Sequence, residues 1–148
     1  MADRVSPHFT VPEMACRCGC GALNINCNSL EALELFRVAL DRPLIPSSAC
    51  RCDAHNRHVN GSPVSWHLAS ARVGCRAFDL SSPGMTAGEL MKALEAWDTC
   101  NIFTGRGLYP YDTPASIHID TGHANLTRWI RTADRKYHTV GYFPEGLQ

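Results

Sequence analysis

The sequence has no apolar run of membrane-spanning length, no excess of either charge and no internal repeat. The first absence excludes a spanning helix. The second, a formal net charge of +0 and a pI near 7.0, excludes the overall field that draws a chain to nucleic acid. Basic residues are scattered, and no run has the size of a nucleic-acid or anionic-membrane patch. The opening seven residues lack the apolar segment of a secretory signal peptide, so the expectation is a chain made in the cytoplasm. With no linker or low-complexity stretch, residues 1–148 are expected to form one domain, long enough to bury a core without staples.

Cysteine, by contrast, is plentiful: Cys16, Cys18, Cys20, Cys27, Cys50, Cys52, Cys75 and Cys100. The even number suggests a disulfide framework, whereas the missing signal segment argues against an oxidising compartment. Metal binding and buried reduced thiols are the other readings. The spacing Cys-x-Cys-x-Cys over 16–20 is not the paired Cys-x-x-Cys of a zinc ribbon or finger.

Residues 8–14 read as a short extended segment or turn, and 16–21, with Gly19 and Gly21 among three cysteines, as a tight loop. A helix is expected to begin at Asn28-Ser29 and to carry Leu30, Leu33, Leu35, Phe36, Val38 and Leu40 before Pro43 closes it. Residues 44–49 suggest a short strand, 55–61 a helical turn ending at Gly61, and 76–80 a strand. Thr86 is placed to cap a helix over 87–99, with Leu90, Met91, Leu94 and Trp97 on one face. Residues 105–110 open a hairpin that returns over 116–120. Alternation there sends Ile117 and Ile119 to one face, His118 and Asp120 to the other. The fold class is therefore α+β: a small, mostly antiparallel sheet with helices on one side.

A catalytic zinc takes three nitrogen or oxygen ligands and leaves a fourth position for water. His67, Asp79 and His118 could supply such a set, but periodicity does not show that they converge. Most of the seven histidines in a chain of this size have no chemical role, and Asp120 beside a turn also reads as a capping carboxylate.

The order of the motifs adds to this. Ser48-Ala49-Cys50-Arg51-Cys52-Asp53-Ala54-His55-Asn56, Ser65-Trp66-His67-Leu68, Ala77-Phe78-Asp79-Leu80, and Gly107-Leu108-Tyr109-Pro110 followed by Ile117-His118-Ile119-Asp120-Thr121-Gly122 together resemble the zinc D-Ala-D-Ala carboxypeptidase superfamily. That group includes the L-alanyl-D-glutamate endopeptidases of phage endolysins, murein endopeptidases and the hedgehog-like zinc fold. The segment 9–21 is similar to the short, phage-associated branch, and the likeness runs from about Phe9 to Trp129.

The resemblance implies that His67, Asp79 and His118 ligate Zn2+. It also implies that Arg51 grips a substrate carbonyl or carboxylate, where a fixed guanidinium can stabilise an oxyanion. Ser65 is expected to contribute to substrate binding or to support the site. Two departures stand out. Eleven residues, 68 to 78, separate His67 from Asp79, more than the family usually has. The excess within 69–76 is expected to loop out and rim the cleft. Many members also carry an acidic residue shortly before the last His, where this chain has Pro114, Ala115, Ser116 and Ile117. Asp120, or else Asp112, is the carboxylate left for the general base, Asp120 being equally readable as a hydrogen-bond acceptor behind the ligands. A contact or bridge from the Cys16–Cys20 loop to Cys50 or Cys52 is expected to brace Arg51.

The function so implied is a zinc peptidase that cuts an amide bond involving a D-amino acid in peptidoglycan stem peptide. It would be a monomer without nucleic-acid or stable membrane partners. The setting would be the bacterial wall, reached through a phage holin or as a virion component. The alternatives are a non-catalytic zinc-binding recognition module of the same fold and, less favoured by charge and spacing, a cysteine-cluster protein that binds nucleic acid.

Overall fold

The computed structural model describes residues 3–147, so Met1, Ala2 and Gln148, part of the expected 1–148 domain, lie outside the described residues. The elements are α1 (Val11–Met14), α2 (Cys27–Leu40), β1 (Ile45–Ser48), α3 (Asp53–His58), β2 (Ala77–Ser81), α4 (Ala87–Trp97), β3 (Gly105–Tyr109), β4 (Ser116–Asp120), β5 (Thr127–Arg131) and β6 (Tyr137–Val140). Among the described residues no helix is long and apolar enough to cross a membrane.

Local chemistry sets the helix ends. At α4, Thr86 Oγ1 accepts from the Glu89 amide and Glu89 Oε2 accepts from the Thr86 amide, a reciprocal cap that satisfies two otherwise orphaned donors. Thr10 and Glu13 make the same return contact at α1, so the expected turn at 8–14 closes into one helical turn. Helix α2 starts slightly earlier than its sequence suggests, because the Asn26 side chain accepts from the Ser29 amide and caps it. Its buried stripe is Ser29, Ala32, Leu33 and Phe36, while Leu35 and Val38 face outward.

The six strands form one sheet in the order β1-β2-β4-β3-β5-β6. Four pairings are antiparallel and β3 with β5 is parallel, so the sheet is mixed rather than purely antiparallel. Strand alternation divides its faces. Phe78, Leu80, Leu108, Ile117 and Ile119 are buried with Leu33 and Phe36 of α2 and Leu90, Met91 and Leu94 of α4. Each such side chain contributes roughly 1.5–3 kcal/mol by leaving water, and Phe36→Ala would cost about 3–5 kcal/mol. Arg106 is the exception on this face. It is 1% exposed, and its guanidinium donates to Phe103 O, Glu95 and Asp98, so the buried charge is paired. The opposite face of β2, β4 and β3 carries Asp79, His118, Asp120 and Tyr109.

Candidate active site

Asp79 on β2 and His118 on β4 are direct cross-strand partners. Opposite His118 on the other side lies Gly107, and opposite Asp120 lies Gly105. Neither glycine is required by its backbone angle; each is required by space. A Cβ at Gly107 would come within 2.5 Å of the Trp129 indole nitrogen, and one at Gly105 would collide with the Asp120 carboxylate. Small residues on β3 thus make room for imidazole, carboxylate and indole to lie on one sheet face.

His67 comes from a loop rather than a strand. The Arg51 amide donates to His67 O at 2.8 Å and the Ala69 amide to Arg51 O at 2.9 Å, which fastens the loop beside β1. Ser65 Oγ accepts from the His67 amide at 3.2 Å. The excess segment 69–76 does loop out, but away from the cleft. It pairs with the strand-like stretch before α2, through the Asn26 amide to Cys75 O and the Cys75 amide to Asn24 O. Residues of that segment do not line the cleft, which is rimmed instead by 59–66, so the expected rim position is corrected. Hydrogen bonds from the Asn24 and Asn26 side chains to Ala69 O and Val73 O hold the excursion at the far side.

The three ligand candidates converge. One donor atom from each of His67, Asp79 and His118 lies within 4.8 Å of the others. His67 Nε2 is 3.3 Å from both His118 Nδ1 and Asp79 Oδ2, and His118 Nδ1 is 2.9 Å from Asp79 Oδ1. A tetrahedral zinc with bonds of about 2.0–2.2 Å sets its ligand atoms about 3.3–3.6 Å apart, so the donor types and the two 3.3 Å spacings from His67 fit that ion, while the His118–Asp79 pair stands closer. The outer nitrogens are oriented as well. His67 Nδ1 donates to Ala49 O at 2.7 Å, which leaves Nε2 to face the cluster, and His118 Nε2 donates to Asp120 Oδ2 at 2.9 Å, which turns Nδ1 inward.

The electrostatics follow from these contacts. Burial alone would raise the Asp79 carboxyl, but His67 and His118 hold it well below the usual carboxylate range. Burial lowers His67 despite Asp79. His118 is driven the other way: against the effect of burial, hydrogen bonds to Asp120 and Asp79 raise it to about 9. Asp120 falls to about 2, burial being outweighed by His118 and His123.

Asp120 is fully buried and does not line the cleft. Its oxygens accept from His118 Nε2, His123 Nδ1 and the amides of Gly122 and His123. These contacts suit Asp120 to the second of the two roles open to it, a hydrogen-bond acceptor behind His118. Asp112 does line the cleft, where it is ion-paired to Arg131. Arg51 reaches the triad, donating to Asp79 Oδ2 at 3.1 Å, while Ser48 Oγ and Asn56 Oδ1 steady its other nitrogens. Ser65 lies on the cleft wall.

The cleft above the triad has a volume of about 1090 Å³. Trp66, Trp129, Tyr109 and Tyr137 supply its aromatic surface. Trp129 Nε1 donates to Tyr109 Oη at 3.1 Å, and its ring centroid is 5.2 Å from that of His118. Arg131 lies over the Tyr109 ring at 4.4 Å. Sequence reasoning did not single out His123, Tyr109 or Arg131. His123 follows a strand in a turn, where no periodicity marks it, and Arg131 sits on a strand without a clear burial pattern.

Comparison with known proteins gives one family. A family model described as Peptidase M15 matches residues 7–120, which takes in all three ligand candidates and Arg51. No curated protein matches the chain.

Proposed function

Since the chain belongs to the peptidase M15 family, a family of metallopeptidases, we propose that it hydrolyses an amide bond involving a D-amino acid in peptidoglycan stem peptide, with zinc on His67, Asp79 and His118. The observation that carries this reading is the meeting of those three side chains at the floor of an open, aromatic-walled cleft. Zinc bound there supplies a Lewis acid for the scissile carbonyl and a water of lowered pKa.

The chain's own groups do the rest. Arg51, fixed by Ser48 and Asn56, offers a guanidinium to the substrate's carbonyl or carboxylate oxygen and to charge that develops on it. Ser65 keeps the His67 loop in place and offers its hydroxyl at the wall. We assign proton acceptance to His123. It lines the cleft, and its Nδ1 lies 2.8 Å from Asp120 Oδ1, so the carboxylate can fix the tautomer that leaves Nε2 basic. The indole of Trp129 and the ring of Tyr109 stand against the His118 imidazole and give the substrate an apolar wall.

The test is mass spectrometry of purified muropeptides incubated with zinc-loaded protein, beside a chelated control. A chelator-sensitive product supports the peptidase, and its mass identifies the bond. Absence of product across several wall chemistries, from protein verified to hold zinc, would leave the non-catalytic recognition module as the better reading. His123→Ala and Asp112→Asn, both checked for zinc content, decide the proton acceptor: activity surviving in the first and lost in the second moves that role to Asp112.

A further inference from the structure

Outside the triad, four sulfurs meet. Cys16, Cys18 and Cys20 come from the loop after α1, and Cys52 from the residue that caps α3. One sulfur from each lies within 4.8 Å of the other three. Cys16 and Cys18 Sγ are 3.4 Å apart, Cys18 and Cys52 Sγ 3.7 Å. None of the eight cysteines is disulfide-bonded in the structure. A tetrahedral ion with metal–sulfur bonds of about 2.3 Å spaces its ligands about 3.8 Å apart, so these sulfurs already stand near the edges of such a tetrahedron.

The backbone is arranged for negative charge on the same atoms. The Cys52 amide donates to Cys16 Sγ at 3.3 Å, the Ala22 amide to Cys20 Sγ at 3.4 Å and the His55 amide to Cys52 Sγ at 3.3 Å. Amide donors to sulfur stabilise thiolate over thiol. The short spacing of the three loop cysteines is made workable by Gly19 and Gly21, at φ of 83° and 79°. A Cβ at either would meet nothing within 4 Å, so the left-handed backbone rather than space calls for glycine. Cys18 and Cys20 are exposed, which leaves an open path for an ion.

We propose that Cys16, Cys18, Cys20 and Cys52 form a second metal site that takes one thiolate-preferring divalent cation, such as zinc, in a closed four-sulfur shell. Binding forms four metal–sulfur bonds and releases the four thiol protons to solvent. With no position left for water, the role is structural. The ion ties the amino-terminal loop to the first turn of α3, and so holds Cys52 next to Arg51, whose amide is bonded to His67 O. The sulfur site stands or falls independently of the peptidase reading, because its readouts come from sulfur.

The test uses the reduced, metal-depleted full chain titrated with Co2+. Two equivalents should bind, one of them with an intense near-ultraviolet sulfur-to-cobalt charge-transfer band. Cys18→Ser combined with Cys20→Ser should lose that band and one equivalent; His67→Ala combined with His118→Ala should lose the other equivalent and keep the band. Should the cysteine variant fail to fold, the wild-type chain decides: zinc should protect Cys18 and Cys20 from alkylation, and a chelator should restore their reactivity. Uptake without a thiolate band, or unprotected thiols in zinc-loaded protein, overturns the site. So does a disulfide among the four in protein whose thiols were blocked at lysis.

Discussion

Asp120 lies two residues beyond His118 on the same strand and, from complete burial, accepts a hydrogen bond from its Nε2 at 2.9 Å. The carboxylate therefore determines which nitrogen of His118 faces Asp79 and His67. It also anchors the turn that follows through the amides of Gly122 and His123.

Asp120→Asn should weaken zinc binding by roughly 10–100-fold, the usual effect of losing a carboxylate behind a metal-bound histidine. Competition with a chromophoric chelator measures it. Unchanged affinity would remove Asp120 from the support of the site.

Arg51→Ala should retain zinc at full stoichiometry and lose at least about a hundredfold in kcat/KM. Arg51→Lys should not restore the rate, since an ammonium cannot keep the fork that reaches Ser48, Asn56 and Asp79 together. Metal analysis beside steady-state kinetics separates a lost substrate contact from a lost ion, because Arg51 also touches a ligand.

His118 carries a proton at neutral pH in the metal-free chain, its pKa raised to about 9 by Asp120 and Asp79. That charged form stabilises the metal-free fold most fully below the ordinary histidine value of about 6.5, and its contribution is lost as pH rises through about 9. Zinc must displace the proton on Nδ1. Apparent zinc affinity should therefore rise about tenfold per pH unit as pH approaches 9 from below. Calorimetry in buffers of different ionisation enthalpy should count a proton released on zinc binding at neutral pH.

Burial would raise the Glu95 carboxyl, but hydrogen bonds from Arg128 and Arg106 lower it overall. A lowered folded-state value adds stability above the ordinary value of about 4.3 and loses it as pH falls through the folded value. The wild-type melting temperature should thus drop more steeply below about pH 4.3 than that of Glu95→Gln. Parallel melting curves across that range would contradict the sign.

Much of this was readable from the chain because it is encoded over short distances. The reciprocal cap at Thr86 and Glu89 needs only four residues, and the shared face of His118 and Asp120 follows from a period of two. What escaped was long-range. His67 was reached through the resemblance alone, because it stands in a loop whose path is set by the pairing of 67–69 with Arg51, and no local pattern points it at the triad. The contact expected from the 16–20 loop to Cys50 or Cys52 is made to Cys52, but the spacing within 16–20 did not show that all four sulfurs gather. Strands β5 and β6 went unrecognised because β6 is largely exposed and polar, and because β5 joins the sheet parallel to β3, a pairing that no hairpin turn announces.

That parallel pairing divides the protein's labour. The family match ends at residue 120, with the ligand candidates inside it, while Trp129, Arg131 and Tyr137 reach the cleft from β5 and β6 beyond it. The metal-ligand candidates and part of the cleft wall are thus on separate stretches of chain, joined side by side along β3. Exchanging the carboxy-terminal stretch between relatives offers a way to retarget such an enzyme while its metal-binding floor is left untouched, provided each donor brings an indole that Gly107 can accommodate.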